Sequence, residues 1–233
     1  YGLALDSGFT AATILPDIPL EFGRDEVYIP QNFDRRYRGP VRLRTALASS
    51  LNIPAVYTLE RVGVRRFVKT LRDLGFDSLA GENLQVGVGL AVGNAEVELY
   101  ELVQAFTVFP RDGIAGELHW RMDEGNPVAG TVGVTGSGQE APPPETAPVQ
   151  AGERAFSPAA AGIIRDILTD TVSRVPGFGT YRLLDTPFPA MFKTGTSNQF
   201  TNIWALGSSP SRTVGIWMGN FSGDTVVGAP GSS

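Results

Sequence analysis

The strongest constraint on the fold is a change of period along the chain. Between about 40 and 108, and again over 158–168, apolar residues recur at helical spacing. Beyond 188 the pattern breaks into short runs of β character at 189–194, 203–206 and 213–218. Ser208-Ser209-Pro210-Ser211 reads as the hairpin turn joining the last two runs. Helices first and a meander last describe an α+β fold, with helices packed on an antiparallel sheet.

The helical part is punctuated by glycine and proline. Residues 1–8 read as the last turns of a helix that stops at Ser7-Gly8, and 13–15 and 26–29 as short strands. Gly39-Pro40 is expected to open a helix, proline suiting the first helical position. Ser49-Ser50-Leu51-Asn52 interrupts that helix, and a second runs from Pro54 to a stop at Gly63. Residues 64–74 are amphipathic and end at Gly75, 96–108 form a further helix, and Ser157-Pro158 starts another. Over 125–152, glycine and proline fill 11 of 28 positions, too little apolar surface for a core. The chain is therefore read as one domain, 1–233, carrying an insertion loop over 121–154.

Composition removes several chemistries. The 233 residues contain no cysteine and one histidine, which excludes disulfides, a cysteine nucleophile and His-rich or Cys-ligated metal sites. That histidine, His119, sits at the edge of the insertion and reads as structural or solvent-facing. A formal net charge of −5 argues against a nucleic-acid partner. Arg35, Arg36, Arg38, Arg42 and Arg44 form the one basic cluster, open to two readings: a solvated face rimmed by acids, or an anion site. No apolar run approaches the ~20 residues of a membrane span. The chain opens on Tyr1 and closes on Gly231-Ser232-Ser233, and both ends read as cut from something longer, so missing targeting signals carry no weight.

The chain has two lysines, and Lys193 stands inside the first β run, followed by Thr194-Gly195-Thr196-Ser197. A lysine there can be an edge-strand charge that blocks aggregation. It can also serve a ligand: Gly195 allows close approach, the strand edge can pair with an extended peptide, and a charge among hydroxyls suits a carboxylate. Ser50 and Asn52 form a second pair, a hydroxyl and an amide on a helix–helix connection. Asn52 can equally be the helix N-cap.

Ser-x-Asn followed about 140 residues later by Lys-Thr-Gly-Thr resembles the transpeptidases of the penicillin-binding protein family and their serine β-lactamase relatives. The segments 38–56, 87–91, 101–106, 193–204 and 217–220 are similar to the class A, bifunctional subgroup, and most like its 1C type. The resemblance spans nearly everything outside 121–154. It implies the penicillin-binding protein/serine β-lactamase-like fold with its N-terminal part missing. It further implies serine acyl transfer on peptidoglycan stem peptides ending in D-Ala-D-Ala, with β-lactam antibiotics as inhibitors. No metal or nucleotide cofactor is implied. By the same resemblance Ser50 relays a proton to the leaving group and Asn52 holds the substrate amide. Lys193 supplies positive potential and tunes Ser50, Thr194 and Thr196 bond the carboxylate, and the Thr196 N–H is an oxyanion donor. The parent protein would be anchored at the extracytoplasmic, periplasmic face of the bacterial inner membrane and carry a glycosyltransferase domain.

The family's Ser-x-x-Lys motif, which holds the nucleophile, is not among these residues: Arg66 and Ala190 stand three before the two lysines. It is expected just upstream of Tyr1. Thr201-Asn202 replaces the Arg-Asp pair usual before Trp204, so no ion pair is implied there. A D-Ala carboxypeptidase or β-lactamase-like hydrolase, and a non-catalytic wall-binding domain, remain the alternatives.

Overall fold

The computed structural model describes residues 1–23, 27–81, 86–118, 152–180, 184–197 and 200–226. The expected insertion is outside them except for 152–154, as is His119. The helical half opens with α1 (Gly2–Asp6) and a two-stranded antiparallel sheet of β1 (Ile14–Asp17) and β2 (Gly39–Arg42). It continues through α2 (Leu43–Ala48), α3 (Asn52–Val62), α4 (Val64–Asp73), α5 (Leu99–Phe106), α6 (Pro158–Thr169) and α7 (Thr171–Phe178). The C-terminal sheet is β3 (Met191–Thr196), β4 (Asn202–Ser208) and β5 (Thr213–Gly219), antiparallel in the order β3-β4-β5. This is the α+β arrangement anticipated from the change of period.

Local chemistry sets most boundaries. Gly63, at φ +94°, lets α3 turn directly into α4, a backbone angle that glycine adopts without steric cost. Ser157 caps α6 by accepting from the Ala160 N–H at 3.1 Å. A capping box of Glu98 and Glu101 starts α5 at Leu99, later than the expected 96. The fully buried Glu101 carboxylate also takes the Ser78 N–H and hydroxyl, at 2.8 and 2.6 Å.

Three expectations need correction. Gly39-Pro40 does not open a helix: Pro40 opposes Pro16 in the β1–β2 ladder, and α2 begins at Leu43, whose N–H donates to Thr13 O. A two-stranded sheet is all edge, where a missing N–H is tolerated. Of the strand expected at 26–29, only Tyr28 pairs, through a single bridge to Phe22, and residue 26 is outside the described residues. α7 was not anticipated, because Pro176 and Gly177 sit inside it. The Asp170 cap, accepting from the Val172 and Ser173 N–H groups, and packing on α2 outweigh the poor propensity.

The core lies between the helices and one face of the large sheet. Leu15, Leu43, Ile53, Val56, Leu79, Val108 and Ile167 are almost wholly buried. α6 packs on β3 and α5 on β5. Gly215 admits α5: a Cβ there would stand 2.3 Å from Val103 Cγ2. Strand alternation turns Val214, Ile216 and Met218 to the other face, where they are exposed.

Candidate active site

Ser50 owes its position to the way α2 ends. The Leu51 N–H donates to Ala46 O (2.9 Å) and the Ser50 N–H to Leu47 O (3.1 Å), the paired bonds of a Schellman C-cap. That motif needs a left-handed residue, usually glycine. Here Ser50 takes it, at φ +55°. A non-glycine residue there costs roughly 1 kcal/mol. The strain is sustained at a position whose hydroxyl has a partner 143 residues away: Lys193 Nζ donates to Ser50 Oγ at 2.7 Å.

Lys193 reaches Ser50 through the register of β3 on β4, where Lys193 opposes Leu206 and Gly195 opposes Trp204. These side chains share the helix-facing side of the sheet, and Lys193 also bonds the Thr194 carbonyl. Burial pulls its ammonium down from 10.5 to about 8. Lys193 is thus no solvated edge charge, although β3 is an edge strand among the described residues.

The same ladder orients the rest of the run. Ser197 N–H donates to Asn202 O at 2.9 Å, which fixes the phase of the antiparallel pairing. The backbone polar groups of Thr194 and Thr196 therefore turn away from β4 toward the outer edge of β3, on the side where Lys193 meets the Thr194 carbonyl. A Cβ at Gly195 would meet Trp204 Cβ at 3.7 Å, an ordinary contact, so nothing among the described residues demands glycine there. Ser197 Oγ takes the Asn202 N–H and lies 2.8 Å from Thr201 Oγ1, while Asn202 Oδ1 accepts from Trp217 Nε1. At Thr201-Asn202 this neutral network ties down the β3–β4 turn.

Asn52 is in the same connection but is not the N-cap. It is the first residue of α3, the cap position is Leu51, and the Asn52 side-chain amide donates to Gln31 O at 2.7 Å. No bond joins it to Ser50 or Lys193 among the described residues. The capping group comes from outside the helix: Asn32 Oδ1 accepts the Asn52 N–H at 2.9 Å. Buried Asn32 is held in turn by Asp17 Oδ1 (2.6 Å) and Arg36 O. Sequence reasoning missed Asn32 and Asp17. The available signal was a helix start at Leu51 with no capping side chain of its own.

Of the arginine cluster, Arg38 pairs with Asp34 at 2.7 Å, and Arg44 with Asp166 and Asp170. The acid-rimmed reading therefore holds for those two. An apolar cavity of about 240 Å³, lined by Leu59, Leu71, Phe106 and Phe156 among others, has neither Ser50 nor Lys193 in its wall.

The penicillin binding protein transpeptidase domain family matches residues 1–221. The chain belongs to this family. It is 34% identical over 229 residues to penicillin-binding protein 1C of Escherichia coli K12, covering 98% of this chain and 26% of the relative. It is 27% identical over 226 residues to penicillin-binding protein 1A of Neisseria meningitidis serogroup A, covering 94% and again 26%. The likeness to the 1C type anticipated from sequence is borne out, and the chain spans about a quarter of the length of these relatives. Among solved structures, penicillin-binding protein 1A of Haemophilus influenzae superposes at TM-score 0.77 and 21% identity over 100% of this chain and 38% of that one. PonA1 of Mycobacterium tuberculosis, in complex with penicillin V, gives 0.66 and 17% over 96% and 58%. Both share the fold.

Proposed function

We propose that these residues form the C-terminal part of a peptidoglycan D,D-transpeptidase domain whose nucleophile, in a Ser-x-x-Lys motif, is supplied by a preceding segment of the intact protein. The observation that carries the reading is the 2.7 Å contact between Lys193 and Ser50 beside the outer edge of β3. A stem peptide ending in D-Ala-D-Ala pairs with that edge as an added strand. Its terminal carboxylate meets the hydroxyls of Thr194 and Thr196 in the positive field of Lys193, and Gly195 leaves room for its backbone. The nucleophilic serine attacks the penultimate D-Ala carbonyl, with the Thr196 N–H donating to the developing oxyanion. The new Ser–C bond replaces the C–N bond, and terminal D-Ala leaves with a proton relayed through Ser50. An amine from a second stem then attacks the ester, forms the cross-link and returns the proton to the serine. Asn52 Oδ1, which accepts no bond among the described residues, takes a substrate amide N–H. Ser197 contributes through the turn it fastens. β-Lactams acylate the same serine.

No helix among the described residues is long and apolar enough to cross a membrane. The anchor at the periplasmic face of the inner membrane, and a glycosyltransferase domain, belong to other parts of the proposed parent protein. Labelling with a fluorescent penicillin tests the division of labour. The intact protein should give a covalent band that unlabelled β-lactam competes away, and the 233-residue chain alone should give none. A competed band on the isolated chain would refute the assignment of the nucleophile to a preceding segment.

A further inference from the structure

α7 touches the residues that precede the two halves of the Ser50–Lys193 contact, Ser49 and Phe192. On one side the Ser49 hydroxyl donates to Ser173 O at 2.9 Å. On the same side Gly177 lies so close that a Cβ there would stand 2.2 Å from Ser49 O and 2.8 Å from its Cα. Arg38, which flanks this region, donates to Pro176 O at 2.8 Å. On the other side Arg174, almost wholly buried and bonded to Leu168 O, lies over the Phe192 ring at 5.8 Å. Phe192 immediately precedes Lys193. The helix is anchored independently at its start, where Asp170 caps it and takes Arg44 from α2 at 3.0 Å.

Its sequence suits this use and little else. Glycine inside a helix is less favourable than alanine, and proline less favourable still. A short helix holding both gains from them only if something requires the close approach. Here it is the Ser49 backbone that fills the space a Cβ would take.

We propose that α7 is a positioning element for the transpeptidase site: Gly177 and Ser173 fix the Ser49–Ser50 backbone while Arg174 fixes β3 at Phe192, and together they set the separation of Ser50 Oγ and Lys193 Nζ. Gly177, Ser173, Arg174 and Ser49 are positioning residues, acting through Ser50 and Lys193 rather than on substrate. The inference rests on the functional reading above for its catalytic consequence, but not for its geometric one.

The test therefore has two arms. With only two lysines, a carbon-13 label at lysine Cε gives one signal for Lys193 and one for Lys69 as internal reference. In the 233-residue chain, Gly177→Ala must displace Ser49, so the Lys193 signal should titrate closer to the ordinary lysine value while Lys69 is unmoved. Ser49→Ala, which removes one bond and little volume, should move it the same way by less, and serves if Gly177→Ala does not fold. In the intact protein, Gly177→Ala should slow β-lactam acylation by on the order of 10²-fold, with the pre-covalent binding constant little changed. Ser49→Ala should slow it by roughly fivefold. A helix that merely supports the fold would lower stability in both variants and leave the Lys193 titration and acylation rate as in wild type; that result overturns the proposal. Displaced Lys193 titration in a parent protein that never acylates would leave α7 as the positioning element and refute the transpeptidase reading instead.

Discussion

Raising the pH through the range where Lys193 loses its proton measures how dry the site is. In the unfolded chain this lysine has the ordinary value of 10.5, and in the folded chain burial brings it to about 8. The difference of roughly 2.5 units corresponds to about 3 kcal/mol by which the folded state disfavours the charged form. The sign follows from proton counting. Between those two values the unfolded chain binds more protons than the folded one, so stability rises with pH across the window. Below it the full penalty is present, and above it the penalty is gone. Lys193→Met removes the titration and serves as reference, because other titrating groups cancel in the comparison. Wild type should gain about 2 kcal/mol on the variant between about pH 7.5 and about pH 9.5, read from urea unfolding at each pH. The same window is visible in the labelled lysine spectrum. Lys69, exposed and bonded to Asp73 at 2.6 Å, has its value raised by that hydrogen bond and should stay charged while Lys193 titrates. A Lys193 signal that titrates with Lys69, or a stability gap that stays flat with pH, would show the ammonium to be solvated and remove the physical basis for the proposed tuning of Ser50.

Ser50→Gly should separate stability from activity: relief of the left-handed angle, worth roughly 1 kcal/mol, is offset by loss of the Lys193 hydrogen bond, so urea unfolding should change little while acylation in the intact protein falls by on the order of 10²-fold. Glu101 should make the fold acid-sensitive. Burial alone would raise its carboxyl, but hydrogen bonds from Ser78 and Glu98 outweigh it and hold the group below 4.5, so its contribution is present above that value and lost as pH falls through the folded value. Glu101→Gln should flatten that acid limb of the stability curve and cost about 1–2 kcal/mol at neutral pH. Ile216 and Met218 face outward from the sheet at 57% and 49% exposure, so Ile216→Thr with Met218→Thr should reduce concentration-dependent association of the isolated chain, measured by analytical ultracentrifugation.

Elements whose signal is local were legible in the sequence. The runs 203–206 and 213–218 sit within β4 and β5, and 189–194 overlaps β3 but is set two residues early, because alternation and turn residues specify a strand over a few positions. The same locality made Ser157 a readable cap and Gly63 a readable stop. β2 and α7 were not legible, because each contradicts its local signal and is held by something remote: Pro40 by the β1 ladder, Pro176 and Gly177 by the cap at Asp170 and the backbone of Ser49. Asn32 failed for the same reason, since the helix start it caps lies 20 residues downstream.

The candidate site follows this rule in concentrated form. A lysine in an apolar strand run is visible as an oddity in the sequence; a serine where a C-cap wants glycine and a glycine where a helix wants alanine become oddities only once α2 and α7 are known. None of them discloses its partner. Taken singly, each has an ordinary account: an edge charge, a loop residue, a flexible joint. The partners emerge only when α2, α7 and β3 pack, and then the oddities prove to touch one another: Lys193 on Ser50, and Gly177 on Ser49. A chain selected for stability alone would replace the strained Ser50 and the desolvated Lys193, because each costs on the order of 1 to 3 kcal/mol where a few kcal/mol is a large share of the whole. Both departures meet at one hydrogen bond. That convergence, rather than any motif taken alone, is the physical support for the role proposed for this contact.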